Sequence, residues 1–420
     1  MMPPRRADSP VAFWSLMAFI FILFLTPQAI FPVLAPFRIA LLAAAVAIIA
    51  YTTDAITAGR PIIVLTREAR LVVCLLGWAI LTIPFSYWPG GSVDTVTGVL
   101  LKSLVLFWLI PNVVGTVARL RQFAWGLTLV SVPIAAVALA NYRSGVFLGS
   151  SERIVGYDSS LANDPNDLAL TLNVILPFAL GLVRMTRRPL VRAALLGIVA
   201  LDIAAVVLTF SRGGFLALLV MLGITVLRLL SSAKRAWGIA CLAALILCLP
   251  LVPPSYWDRL ATVSDINSDP TGSAQARWAR MVGALQFVLY HPVIGAGVGA
   301  GALALNEQVG FTWQEVHNTY LQWAVDLGLP GLILYLWLFV LCLGATSVMP
   351  HGAELLPGMR ALRTLGDATR LSLITFGVGA FFLPVAYHFH FFYLAGLSVA
   401  ARTAATRQAN TLRGGRHSHA

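Results

Sequence analysis

Apolar runs fill most of the chain and are broken at short intervals by charged or turn-forming residues. They lie near 12–30, 32–52, 70–87, 95–113, 122–141, 167–184, 192–210, 213–230, 236–253, 331–348, 371–387 and 391–406. Most approach the roughly 20 residues that carry a helix across a bilayer core. Pro, Gly and Ser at 27–33, 89–92 and 211–214 mark tight connections between them. The last two runs are short and are expected to tilt or fray. The two-residue alternation of a membrane barrel is absent. The pattern therefore predicts an all-α, polytopic membrane protein with about 12 transmembrane helices. One stretch breaks it. From Pro254 to Gly331 the chain carries charges, a histidine and two closely spaced arginines. The expected organisation is spans one to nine over 1–253, a loop subdomain with short helices over 254–330, spans ten to twelve over 331–406, and a tail over 407–420. That tail is basic and Gly-rich, and is expected to be disordered.

Composition agrees with the pattern. Only 11% of residues are charged and 59% are hydrophobic, against about 25% charged in soluble domains. The net charge of +12 would suit a nucleic-acid binder, but its placement argues otherwise. With both termini in the cytoplasm, 21 of the 29 Lys and Arg fall on the cytoplasmic side, loop after loop. The charge thus reports topology and contact with anionic membrane lipids, with no nucleic-acid partner. The other eight cations are Arg38, Lys102, Arg143, Arg153, Arg212, Arg259, Arg277 and Arg280. They fall within or beyond the outer half of the membrane, where a retained cation often serves a site. Acids on the same side are Glu152, Asp158, Asp164, Asp167, Asp258, Asp265, Asp269, Glu307 and Glu315. The four cysteines sit in apolar runs and read as packing residues, with no disulfide or metal expected. The first span follows a signal-like basic segment without a small-residue cleavage site, so it reads as an uncleaved helix.

Four pieces can carry chemistry. The first is FSRGG at 210–214, a turn whose glycines permit tight bending and close ligand approach. It sets Arg212 at the boundary where a phosphate headgroup lies. The second is TGSAQARWARM. Ser273 is placed to cap a helix running to Tyr290, and Arg277 and Arg280, three apart, share a face. Two guanidinium forks can hold a diphosphate, although such a pair is equally a solvated helix face. The third, GAGVGAG at 295–301, lacks the Lys-Ser/Thr of a nucleotide loop and reads as a flexible, hinge-like connection. The fourth is FTWQEVHNTYLQWAVDLGLPG. Thr312 and Glu315 form a capping box, so a short helix is expected to contain His317 one turn in and to end near Leu327. Gly328 suits its C-terminal cap and Pro330 the first turn of the next span. An imidazole near a helix N-terminus keeps a low pKa, which suits a base.

Metal chemistry has little support, since no DxD, HExxH or CxxC occurs. In NDPND, helix capping accounts for at least one of Asp164 and Asp167. His388 and His390 read as interfacial residues. Asp202, inside a span, is expected to pair with a cation or to hydrogen-bond within the bundle.

The string HNTYLQWAVDLGLPG resembles the signature of the O-antigen ligase and polymerase superfamily, a His-Asn pair and a short helix before Gly-Leu-Pro-Gly opens a span. SRGG resembles that family's arginine motif. The run from Arg277 through HPVIGAGVG resembles its arginine, His-Pro and Gly-x-Gly segment, with Arg277 or Arg280 as the counterpart. The likeness is close over roughly 195–350 and extends to the first half mainly in hydropathy. It implies a GT-C-type glycosyltransferase of the bacterial inner membrane, acting as a monomer at the periplasmic face without cofactor or metal. It further implies a donor glycan on undecaprenyl pyrophosphate and, for a ligase, an acceptor hydroxyl on lipid A-core. Catalysis is expected from His317, Arg212 and Arg277, and substrate binding from Arg280, Lys102, Asn318, Arg153, Asp164 and Asn166. A polymerase or a protein O-oligosaccharyltransferase shares these motifs. A transporter or flippase explains the spans equally well, but would show internal repeats and polar groups at the midplane.

Overall fold

The computed structural model describes residues 9–148, 153–159, 161–233, 235–248, 250, 273–310, 315–346 and 358–417. Asp258, Arg259, Asp265, Asp269, Thr312 and Glu152 lie outside the described residues. Among the described residues the chain is helical, with one isolated antiparallel bridge between Phe147 and Ile154. The helices are α1 (Pro10–Leu25), α2 (Ile39–Thr57), α3 (Arg67–Thr82), α4 (Pro89–Val113, with a π turn at Val96–Leu100), α5 (Val117–Arg143), α6 (Pro165–Met185) and α7 (Pro189–Leu208). They continue as α8 (Arg212–Leu230), α9 (Arg235–Cys248), α10 (Ser273–Tyr290), α11 (Gly301–Val309), α12 (Thr319–Ala345), α13 (Met359–Gly379) and α14 (Phe389–His417).

Each apolar run predicted to span overlaps one of these helices. Among the described residues, eight helices are long and apolar enough to cross a membrane, the first of them being α2 extended by the turn from Pro32. α1 and α9 are apolar but shorter. The last two helices are not short, as the hydropathy suggested, but 21 and 29 residues long. Arg360, Arg363, Asp367 and Arg370 dilute the first half of α13, while its apolar face packs inward through Leu362, Leu365, Leu371 and Phe376. The tail expected to be disordered continues α14 as far as His417.

Helix starts are built from local capping. Ser9, Thr66, Thr116, Asp164, Ser211 and Asn318 each accept a hydrogen bond from a first-turn N–H. The cap matters because an unpaired backbone donor away from water costs several kcal/mol. Exposed apolar side chains such as Leu129, Leu190, Leu216, Ile239, Ile333 and Val340 belong to outward helix faces.

α6 is the mast of the bundle. Every residue from Leu168 to Ala179 is buried, and α5, α7, α8 and α13 pack around it. Its polar ties are sparse and directed. Asn173 Nδ2 donates to Gly214 O of α8 at 2.7 Å, and Ser372 Oγ of α13 donates to Val174 O at 2.8 Å. Thr171 Oγ1 meets His390 Nε2 of α14 at 2.8 Å. His390 is therefore fully buried rather than interfacial, because the tie to α6 draws it inward. Asp202 of α7 is bonded to Ser131 Oγ of α5 at 2.9 Å, a bond within the bundle. Cys342 packs in the core. Cys74 and Cys241 sit on exposed helix faces, and all three are free thiols.

About 20 Å along α14 from its start, Arg402 forms a two-pronged pair with Glu68 of α3, both contacts at 2.6 Å. Glu68 is completely buried. Removing the arginine strands a carboxylate, which costs more than the pair itself contributes. Arg402→Ala is expected to lose about 3 kcal/mol or more, read as a lower unfolding temperature in detergent. Replacing both partners, Glu68→Leu with Arg402→Met, is expected to recover most of that loss. An unchanged unfolding temperature in Arg402→Ala would show that the pair holds nothing together.

Candidate functional site

Two helix starts are tied side by side. Asp164 caps α6 and accepts from both the backbone N–H and the side-chain Nδ2 of Asn166, at 2.7 and 2.8 Å. Asn166 Oδ1 accepts from Ser211 Oγ at 2.8 Å, and Ser211 Oγ caps α8 by accepting from Gly214 N–H at 3.2 Å. Arg212 is thus the first residue of α8, directly beside the start of α6. Arg153, from the loop before α6, lies 4.0 Å from Asp164 Oδ1.

The glycines of FSRGG do not make the turn, as the sequence suggested. Phe210 does, with φ 51°, while Gly213 and Gly214 are helical. They are small because neighbours are close. A Cβ on Gly213 would stand 2.5 Å from the Phe382 side chain, and one on Gly214 would stand 2.4 Å from Ala169 Cβ. The glycines press α8 against α6 and against the 380–388 turn.

That turn also receives the start of α12. Thr319 N–H donates to Ala380 O at 2.8 Å and Thr319 Oγ1 donates to Leu383 O at 2.6 Å. Asn318 is the cap, accepting from Leu321 N–H at 3.0 Å. His317 therefore precedes the helix rather than lying one turn inside it. The reason is local: Asn318 supplies a strong cap two residues after Val316, and 315–318 are not helical. The helix then kinks at Gly328 (φ 66°, ψ −174°) and restarts at Pro330, the arrangement that Gly-Leu-Pro-Gly predicted.

His317 Nδ1 lies 3.1 Å from Glu315 O. A carbonyl only accepts, so Nδ1 carries the hydrogen and Nε2 keeps a free lone pair. Burial lowers the pKa of His317, and the positive charges of Arg277 and Arg280 lower it further, while the bond to Glu315 O and the charge of Asp164 oppose them. The ring is held neutral and able to take a proton.

α10 runs from Ser273 to Tyr290, as expected, and brings Arg277 to the cluster. Burial first, then the charges of Arg212 and Arg153, push the Arg277 guanidinium down to about 10. Among the charges that act on it, Asp164 opposes the shift. Arg280 is lowered by burial only, so of the two candidates Arg277 is the one that feels the charge of Arg212. Arg153, Asp164, Arg212, Arg277, Arg280 and His317 thus form one electrostatic group, with Asn166 and Asn318 in its frame. Lys102 does not join it. It is exposed on α4 and is not among the charges that act on Arg277 or His317.

GAGVGAG is no free hinge. Ala296 N–H and Gly297 N–H donate to Val325 O and Asp326 O at 2.7 and 2.8 Å, and Leu329 N–H donates to Pro292 O at 2.7 Å. Asp326 accepts from Gly301 N–H at 2.9 Å, Gly299 N–H at 3.2 Å and the Tyr387 hydroxyl at 2.7 Å. The loop is clasped to the kink of α12, and glycine is required where it closes: Gly297 has φ 92°, and a Cβ there would stand 2.1 Å from Ser86 Oγ. Asp326 was not legible in the sequence, where it reads as one acid in an apolar helix. The only signal for it was the proximity of the glycine run and the Gly-Leu-Pro-Gly kink to a common site. Among the described residues, no three His, Cys, Asp or Glu converge to hold a metal ion.

Comparison with known proteins covers part of this site. Residues 197–336 match the family described as O-antigen ligase, a stretch that contains Arg212, Arg277, Arg280, His317, Asn318 and Asp326. Arg153, Asp164 and Asn166 lie before it. None of the curated proteins matches the chain.

Proposed function

From the O-antigen ligase family domain carried at residues 197–336, we propose that this membrane protein transfers a glycan from undecaprenyl pyrophosphate to a sugar hydroxyl of lipid A-core. The reaction is a GT-C-type transfer at the periplasmic face of the inner membrane, by a monomer. The family indicates function of the ligase and polymerase type; donor, acceptor and mechanism are our reading.

One observation carries it. Arg277 is largely buried and feels the positive charges of Arg212 and Arg153, so an anion placed beside it is favoured by all three guanidiniums. A diphosphate is such an anion, and it has two phosphates for two forks. The helix starts at Asp164 and Ser211 add their positive dipole ends to the same place.

The chemistry follows. The acceptor oxygen attacks the anomeric carbon and forms the new C–O bond. The bond from that carbon to the phosphate oxygen breaks, and its electron pair leaves with the diphosphate. Arg212 and Arg277 stabilise the charge that develops there, the role a metal ion plays in many glycosyltransferases. The acceptor proton passes to His317 Nε2. A single displacement inverts the anomeric centre. Asn318 caps the helix behind His317 and fixes its approach. Arg280 contributes a more distant positive charge.

Three outcomes are expected. In cells lacking the gene and carrying variants instead, Arg212→Ala and Arg277→Ala are expected to lower transfer about 10²–10³-fold and His317→Ala by about 10²-fold or more, with membrane insertion intact. The lipopolysaccharide ladder on a gel checks this. Bare core with accumulated lipid-linked polymer marks a ligase, whereas core capped with one repeat marks a polymerase. Full-length ladders from His317→Ala would remove that residue from the reaction.

Transfer by the purified protein is expected to survive EDTA; loss restored only by a divalent ion would refute the arginine mechanism.

The pH profile should follow the neutral form of His317. Its pKa lies below the ordinary 6.5, so the rate stays level from neutral pH down to that value and falls only below it. Arg280→Gln removes one of the charges that depress the ring, and should move the falling limb toward higher pH. A limb that did not move would take His317 out of the titration.

A further inference from the structure

α10 is not among the helices apolar enough to cross a membrane, yet its outward face is apolar. Its inward face packs in the ordinary way, with Ala284, Phe287 and Val288 buried in a cluster shared with α11 and α12. On the other side Trp278, Val282, Leu285 and Leu289 are all exposed. Their spacing of four, three and four draws one stripe along the helix. Tyr290 and Val293 extend it, and Leu289 and Tyr290 are 78% and 82% exposed. None of the exposed positions from Trp278 to Val293 carries a charge, and Gln286 is the one amide among them. A helix facing water puts charged and polar groups on that side. α11, from the same stretch of chain, does so with Glu307 and Gln308.

The surface that adjoins the stripe says what covers it. Leu329 N–H donates to Pro292 O at 2.7 Å, which brings Val293 and Leu329, both exposed, side by side. From Leu329 the exposed positions Ile333, Leu336 and Val340 continue along α12 at the same helical spacing. α12 is long and apolar enough to cross a membrane, and this is an outward face of it. The segment from the kink at Gly328 to Ala345 is about 26 Å long, close to the roughly 30 Å of a hydrocarbon core. The kink therefore lies near the edge of that core, and the loop that ends α10 is bonded to it. A protein partner seated on the stripe would have to stop where the lipid face of α12 begins, without the polar rim that borders such interfaces.

We propose that α10 is an interfacial helix whose outer stripe is seated in the acyl chains of the bilayer. The stripe runs the length of the helix, so α10 lies along the membrane surface and does not dip one end into it. Trp278 and Tyr290 stand at its two ends, and both residue types favour the boundary between lipid and water. Arg277 and Arg280 lie seven residues before Ala284 and Phe287, on the side of the helix away from the stripe. Seating the stripe thus sets the arginines at the height of the headgroups. On the transferase reading, a lipid diphosphate then meets Arg277 in the layer where it already lies and need not be lifted out of the membrane.

Spin labels read the depth directly. The full chain, with its native cysteines replaced by alanine, is placed in nanodiscs and labelled at Val282→Cys, Leu285→Cys or Leu289→Cys. Ile333→Cys marks lipid and Glu307→Cys marks water. The three stripe labels are expected to collide with oxygen and to be shielded from a water-soluble nickel chelate, as at 333 and opposite to 307. Stripe labels as open to the chelate as the one at 307 overturn the proposal. Labels shielded from both reagents overturn it as well, since protein then covers the stripe, a second copy if the spectra broaden between chains. Should the cysteine-free chain fail to fold, Trp278→Phe in the otherwise native chain gives the same reading. The fluorescence lost with Trp278 is expected to be quenched by lipids brominated in the upper acyl chain and not by aqueous iodide; the reverse overturns the proposal. Depth and not turnover is measured, so failure of the transferase reading would leave this result untouched.

Discussion

Guanidinium groups drawn together away from bulk water repel one another, and the repulsion is felt most at Arg277. Left to a flexible chain, such a group would disperse into water or toward lipid headgroups. Here it cannot, because each member sits on an element fixed by other bonds. Arg212 is the first residue of a helix whose cap, Ser211, is bonded to Asn166 on the neighbouring helix. Arg153 leans on Asp164, which caps that same neighbour. Arg277 rides on a helix whose following loop is clasped to the kink of α12. The rigid frame is what allows positive charge to be stored at one place and offered to an anion.

The frame also sets the histidine. α12 begins where the 380–388 turn receives Thr319, and His317 precedes that start with Nδ1 committed to a backbone carbonyl. Burial first, and then Arg277, one of the arginines that would grip a diphosphate, keep the imidazole neutral. Anion binding and proton acceptance are therefore coupled through one field: a diphosphate entering the group would weaken the positive field at His317 and raise its basicity as the acceptor is deprotonated.

Much of this was legible in the chain. The helical class followed from run length, since an apolar run of about 20 residues in lipid has few ways to satisfy its backbone. Helix starts at Asp164 and Gly-Leu-Pro-Gly could be read because capping is a matter between residues two to four apart. Where the reading slipped, competition between nearby signals was the cause. Thr312 and Glu315 looked like a cap, but Asn318, three residues on from Glu315, starts the helix. The glycines of FSRGG looked like a turn, but their smallness answers to Phe382 and Ala169, far away in sequence. His390 looked interfacial because its partner Thr171 is 219 positions distant.

By itself the sequence determined a membrane-embedded helical chain, the order of its spans, and the short strings that hold Arg212, Arg277 and His317. Periodicity, caps and kinks are local, and hydropathy sums over a single helix. Only the tertiary structure decided that Arg277 and not Arg280 feels the charge of Arg212, that Lys102 stays apart, and that Asp326 binds the glycine loop. Fields, burial and close approach depend on which helices become neighbours, and that choice is made by packing across the whole bundle, not by any one stretch of chain.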